Sequence, residues 1–240
     1  MEEFIRKGSF CYVTKATLFS HKKAHGRPVA IKYITEDICL ANNVDFDRTV
    51  NLLREEAEKI SLAKRNNARN VVSIYGTVEG ILPQETAKVL PSAKENQRAF
   101  GILLKYEGIS LHEYLHQKEN KHISLVKKLE ILRDLCCAIM DLHDLDLVDG
   151  DIKPSNVVVS GNDPVRVRVI DFGVSNYVEG RSEEIFAHSA LTITDHYVGS
   201  LPYCAPGKSS RSCFIPFPLT VRSAPPRRDY RVPRSSHSSF

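Results

Sequence analysis

The feature that most constrains the fold is a change in hydrophobic period shortly after residue 100. Before it, apolar residues fall in short runs of strand length: Phe10, Tyr12 and Val13, then residues 28–34, 71–78 and 101–106. The polar stretch 20–27 between the first two runs predicts a hairpin. One helix interrupts this pattern. Over residues 49–64, Leu52, Leu53, Ala57, Ile60 and Ala63 recur at helical spacing, with Arg54, Glu55, Glu58 and Lys59 left for solvent. Residues 82–98 are polar and proline-containing, the composition of an inserted loop.

Beyond residue 110 the period lengthens. Leu111, Tyr114 and Leu115 open a short helix, and residues 123–143 predict a longer one starting near Ser124, carrying Leu125, Leu129, Leu132, Leu135, Cys136, Ile139 and Leu142. Two brief valine strands follow, Val157 to Val159 and Val165, Val167 and Val169, joined by the turn signal Gly161-Asn162-Asp163-Pro164. The fold class is therefore α+β, a β-rich lobe followed by a helical one, with the junction at residues 105–110. No internal repeat is present.

With 42% hydrophobic residues the chain can bury a core. No apolar run reaches transmembrane length, and Met1-Glu2-Glu3-Phe4 lacks the basic start and apolar core of a secretory signal, so a cytoplasmic or nuclear location is expected. The six cysteines show no paired spacing, so neither a zinc site nor a disulfide framework is indicated, and Cys136 and Cys137 read as helix packing residues. Residues 207–240 hold seven of the 33 basic residues and one of the 29 acidic ones, so this tail is +6 and the rest −2. The basic Ser/Pro/Arg-rich tail is expected to be disordered, and nucleic acid is not expected as a partner of the folded part.

Chemistry concentrates in two stretches, Asp151-Ile152-Lys153-Pro154-Ser155-Asn156 and Asp171-Phe172-Gly173, both on loops beside the valine strands. Singly, each Asp or Asn reads equally well as a loop cap. Jointly they suit phosphoryl transfer, in which the protein positions groups and neutralises charge. Asp151 would accept or orient the proton of an attacking hydroxyl, and Lys153 would lie near the transferred phosphoryl group. Asn156 and Asp171 offer hard oxygen ligands for Mg2+. Lys32 would contact phosphates if a carboxylate oriented it, and Glu56, on the face of the first long helix that also carries Ile60, is the first choice.

Over residues 4–206 the chain resembles the eukaryotic protein kinase family of serine/threonine type. Val29-Ala30-Ile31-Lys32 is similar to its phosphate-contacting strand, Asp151 to Asn156 to its catalytic loop, Asp171-Phe172-Gly173 to its magnesium loop, and Val198 to Pro206 to the segment closing its activation region. The resemblance implies a two-lobed fold, with residues 4–104 as N-lobe and 105–206 as an incomplete C-lobe. It implies ATP and Mg2+ as cofactors and a protein substrate with a Ser/Thr acceptor. It assigns catalytic roles to Asp151, Lys153, Lys32 and Glu56, and metal binding to Asn156 and Asp171. Gly8 belongs to the phosphate-covering loop, Val13, Ala30 and Val158 enclose adenine, Leu104 is the gatekeeper, and Lys105, Tyr106 and Glu107 form the hinge. Ser189, Thr192 and Thr194 occupy activation-loop positions.

The pattern breaks in three places. Of three expected loop glycines, Arg6-Lys7-Gly8-Ser9-Phe10-Cys11 supplies Gly8 alone, and Arg6 stands ready to add positive charge instead. Asp149-Gly150 replaces the usual His-Arg before Asp151, bringing a carboxylate to a place that is costly unless hydrogen-bonded or exposed. After Ala205-Pro206 comes Gly207 in place of Glu, and the resemblance stops. An unfinished C-lobe is thus expected, stabilised by a protein partner. The alternatives are a pseudokinase-like nucleotide- or protein-binding module and an inactive truncated product.

Overall fold

The computed structural model describes residues 2–8, 11–20, 23–91, 93–161, 164–173, 176–177 and 200–203. Ser189, Thr192, Thr194 and the segment 204–240 lie outside the described residues. In chain order the elements are β1 (Glu3–Lys7), β2 (Tyr12–Ser20), β3 (Lys23–Thr35), α1 (Glu36–Ala41), α2 (Phe46–Arg65), β4 (Ile74–Ile81), α3 (Gln84–Val89), β5 (Arg98–Lys105), β6 (Ile109–Ser110), α4 (Leu111–His116), α5 (Leu125–His143), β7 (Leu147–Val148), β8 (Val157–Ser160), β9 (Arg166–Val169) and β10 (Asn176–Tyr177).

Strands β1 to β5 form one antiparallel sheet in the order β1-β2-β3-β5-β4. The expected hairpin is β2 and β3, but β3 begins at Lys23, so the strand takes in most of the polar stretch read as a turn. Its register sets Val13 opposite Lys32 and Ala30 opposite Leu104. Because strand side chains alternate, Ala30 and Lys32 share one face while Val29, Ile31 and Tyr33 enter the core from the other.

Helix α2 starts three residues before the expected position. The Asp45 carboxylate caps it by accepting from the Arg48 amide at 2.7 Å. Its buried positions, Val50, Leu53, Glu56, Ala57, Ile60 and Ala63, trace one helical stripe against the sheet. Each fully buried aliphatic side chain, such as Ile60, contributes about 1.5–3 kcal/mol. Two helices were not legible as helices. Thr35 caps α1, which buries Ile38 and Cys39, and α3 lies within the stretch expected to be irregular, with Leu82 and Leu90 buried on either side of it.

In the second lobe β6, β8 and β9 make a small sheet and β7 pairs with β10. Ser124 caps α5 as expected, accepting from the Lys127 amide. The helix buries Ile131, Ala138 and Leu142 against β7, β8 and β9, while Leu125, Val126, Leu129, Leu132 and Met140 are exposed, each by more than half. The main core is continuous between the lobes: Ile60 and Ile102 from above join Ala138, Leu142, Leu147, Val169 and Phe172 from below.

Three links run from the α2–β4 connection to the helical lobe. Arg69 pairs with Asp141 at 2.7 and 2.9 Å while its amide donates to the same carboxylate, and Asn70 donates to the Asp134 carbonyl. Val71 and Val72, expected in a strand, instead lie along β9, where the Val72 amide donates to the Val169 carbonyl. At the other crossing, Gly108 has φ 131°, and a Cβ there would stand 2.1 Å from the Val159 carbonyl oxygen. No helix among the described residues is long and apolar enough to cross a membrane.

Candidate active site

Between the lobes lies a cleft of about 430 Å³. Val13, Ala30, Lys32, Leu104, Lys105, Tyr106, Glu107, Val158 and Asp171 all line it. Strand pairing explains the upper wall, since Val13, Lys32, Ala30 and Leu104 come from neighbouring strands in register. The lower wall is Val158 on β8 with Ile170 beyond the end of β9. Val72 and Ile170 were missed. Ile170 is signalled by its place before Asp171, whereas Val72 is held beside β9 by its amide's bond to the Val169 carbonyl, which no local pattern signals.

At the inner end Lys32 Nζ lies 2.9 and 2.8 Å from the two carboxylate oxygens of Glu56 and 3.2 Å from Asp171 Oδ1. Burial alone would lower the Lys32 pKa, but the Glu56 and Asp171 carboxylates outweigh it and raise the pKa. Burial pushes the Glu56 carboxyl up while the ammonium pulls it down. With both Glu56 oxygens in contact with Nζ, the pair is charged, and breaking it by removing one partner would strand a buried charge. Asp171 is driven up by burial and down, with the larger net effect, by Lys32, the Gly173 amide and Arg6. Its hydrogen bonds among the described residues end on Oδ1, leaving Oδ2 for a cation.

The loop before β8 forms a second cluster. Lys153 Nζ donates to Asp151 Oδ2 at 2.6 Å and to Ser200 Oγ at 2.8 Å. Asn156, almost fully buried, donates to the Asp151 carbonyl at 3.0 Å and to Asp151 Oδ2 at 3.1 Å, which fixes the aspartate's direction. Asp151 Oδ1 is buried and has no hydrogen-bond partner among the described residues. Asp149 Oδ1 accepts from the Asp151 amide, while Oδ2 is buried and unpartnered. Burial raises the Asp149 pKa to about 6.

Glu56, Asp151, Lys153, Asn156 and Gly8 do not themselves line the cleft, and the Gly8 amide donates to the Cys11 carbonyl at 2.7 Å. Glu107, within the hinge, pairs with Lys105 at 3.0 Å, and its Oε1 stands 3.1 Å from Arg168 Nε on β9 as an ion pair without hydrogen-bond geometry.

The donor set suits one small hard cation held together with phosphate oxygens: a single carboxylate, Asp171, and a nearby amide, Asn156. No cluster of three or more His, Cys, Asp or Glu side chains arranged for a metal occurs among the described residues. A cation here would thus complete its shell with ligand and water oxygens.

The chain is 25% identical over 192 residues to a probable serine/threonine-protein kinase of Encephalitozoon cuniculi, covering 80% of this chain and 28% of that protein. It is 27% identical over 173 residues to serine/threonine-protein kinase PknB of Mycolicibacterium smegmatis, covering 72% and 24%. With PrkC of Bacillus subtilis it shares 25% identity over 191 residues, covering 75% and 25%. The chain thus spans about a quarter of the length of these relatives. The model of the protein kinase domain matches residues 1–209, which include every element described above, and the chain therefore belongs to the protein kinase family.

Proposed function

We propose that the chain binds ATP with Mg2+ in the cleft and transfers the terminal phosphate to a serine or threonine hydroxyl of a protein substrate. The observation that carries this reading is the junction at Lys32, where one ammonium meets a helix carboxylate and the loop carboxylate of Asp171. Val13, Ala30 and Val158 form the apolar slot for adenine, Leu104 closes its rear, and the backbone of Lys105 to Glu107 faces its edge. Lys32, oriented by Glu56, contacts phosphate oxygens. Magnesium, when bound, would neutralise phosphate charge, and Asp171 Oδ2 with the Asn156 amide oxygen would hold it. Asp151 orients the acceptor hydroxyl and takes its proton. Lys153 connects Asp151 to Ser200, so it stands between the base and the segment on which a substrate hydroxyl would arrive. The exposed apolar stripe of α5 supports a protein partner on that face.

The decisive experiment uses the full chain with ATP, Mg2+ and a generic protein substrate. Phosphate transfer is expected, falling roughly 10²–10⁴-fold in Asp151→Asn while nucleotide binding persists. Absence of both ATP·Mg2+ binding and transfer above the Asp151→Asn level would sink the proposal. A second reading, nucleotide binding without transfer, is favoured by the Gly8 amide being turned to Cys11. Binding with no transfer would select it.

A further inference from the structure

Arg6 is the residue of the cleft for which the reading above has no use. It sits on β1, at the sheet edge, half-buried, and lines the cleft. Its Nη1 donates to the Ser155 carbonyl at 3.1 Å, a bond joining the first strand to the catalytic loop 149 positions later. Among the described residues this is its one hydrogen bond. A guanidinium has five N–H donors in a planar fork, so most of its capacity is unspent.

The charges around it are unbalanced. At the inner end of the cleft one cation, Lys32, serves two carboxylates, Glu56 and Asp171, and Lys153 is taken by Asp151. Arg6 and Asp171 line the same cleft. Without Arg6 this end of the cleft is net negative, which opposes a polyphosphate. Backbone amides do not make up the difference at Gly8, whose N–H is already bonded to Cys11.

We infer that Arg6 is a ligand for the phosphate chain of the nucleotide, its guanidinium taking the place of the Gly8 amide as hydrogen-bond donor. This rests on the nucleotide-binding reading above and deepens it. A guanidinium binds phosphate oxygens in pairs, adding direction as well as charge. Its bond to Ser155 holds the fork at the cleft until phosphate arrives. Arg6 contributes affinity that grows with the number of phosphates and contributes nothing to recognition of the base.

The test compares adenosine, ADP and ATP, each with Mg2+, binding to the full chain and to Arg6→Ala, Arg6→Gln and Arg6→Lys. In Arg6→Ala and Arg6→Gln, ATP affinity is expected to fall roughly ten-fold and ADP affinity less, with adenosine within two-fold of the parent. Arg6→Lys is expected to recover part of the ATP affinity. Arg6→Gln removes the charge but keeps a polar side chain with N–H donors, two atoms shorter than arginine, so it stands in if Arg6→Ala loses the fold. Unchanged ATP affinity, or equal losses for adenosine and ATP, would overturn the inference while leaving nucleotide binding intact. A parent chain that binds adenosine but gains nothing from phosphates would overturn it too, and failure to bind any of the three would remove both this inference and the reading beneath it.

Discussion

Asp149 carries an unbalanced burial cost beside the site. One of its oxygens is hydrogen-bonded by the Asp151 amide and the other is buried without a partner. Its pKa of about 6 in the folded chain stands above the ordinary carboxyl value of 3.8, so the folded form binds the proton more tightly than the unfolded form. The stability this provides is fully present below about pH 4 and lost as pH rises through about 6. Asp149→Asn keeps an acceptor for the Asp151 amide and removes the charge. It is expected to stabilise the chain by on the order of 1–3 kcal/mol at pH 8, with the gain shrinking towards zero near pH 4. Thermal melts of both proteins across this range check it; an equal gain at every pH would assign the effect to packing. At this scale much of the site was legible, because Lys32, Asp151, Asn156 and Asp171 lie in short local patterns. Arg6 was legible only as a spare charge, since its partner Ser155 is separated from it by most of the chain.

Elements were readable where they were long. Helices α2 and α5 run for 20 and 19 residues, enough for apolar positions to repeat, and the Ser124 cap marked the start of α5. Helices α1 and α3 have six residues each, fewer than two turns, so no period can be seen. What places α3 is tertiary: the Thr86 hydroxyl donates to the Glu2 carboxylate at 2.8 Å. The β5–β6 connection depends likewise on something no pattern shows, the close approach of Gly108 to β8. Gly108→Ala would drive a methyl group into the Val159 carbonyl at a φ that L-residues rarely adopt. A loss of roughly 1–3 kcal/mol is expected, measured as a lower urea midpoint with an unchanged slope. Because the hinge residues flank it, nucleotide affinity is expected to fall in the same variant.

For the whole molecule, the change of hydrophobic period correctly separated a sheet lobe from a helical one. It said nothing about what joins them. The joints come from residues 72 positions apart in the case of Arg69 and Asp141, and from a parallel bridge between Val71 and Val169. Asp141 accepts from both the side chain and the amide of Arg69, so Asp141→Ala removes more than Arg69→Ala does. Amide exchange over residues 69–72 is therefore expected to quicken in both variants and more in Asp141→Ala, with thermal midpoints ranked in the same order. Equal behaviour of the two would mean that the backbone bonds of Val72 and Val169 alone hold the joint.

These fastenings all grip the chain just beyond the C-terminal end of α2 and make that end a fulcrum. Glu56 sits nine residues from it, a lever arm of about 13.5 Å at about 1.5 Å per residue. A tilt of about 10° at the fulcrum would carry Glu56 through about 2.4 Å, close to its whole 2.8 Å separation from Lys32. The ammonium at the centre of the site is thus wired to the attitude of a 20-residue rod, and a modest push on the far end of that rod would suffice to disconnect it.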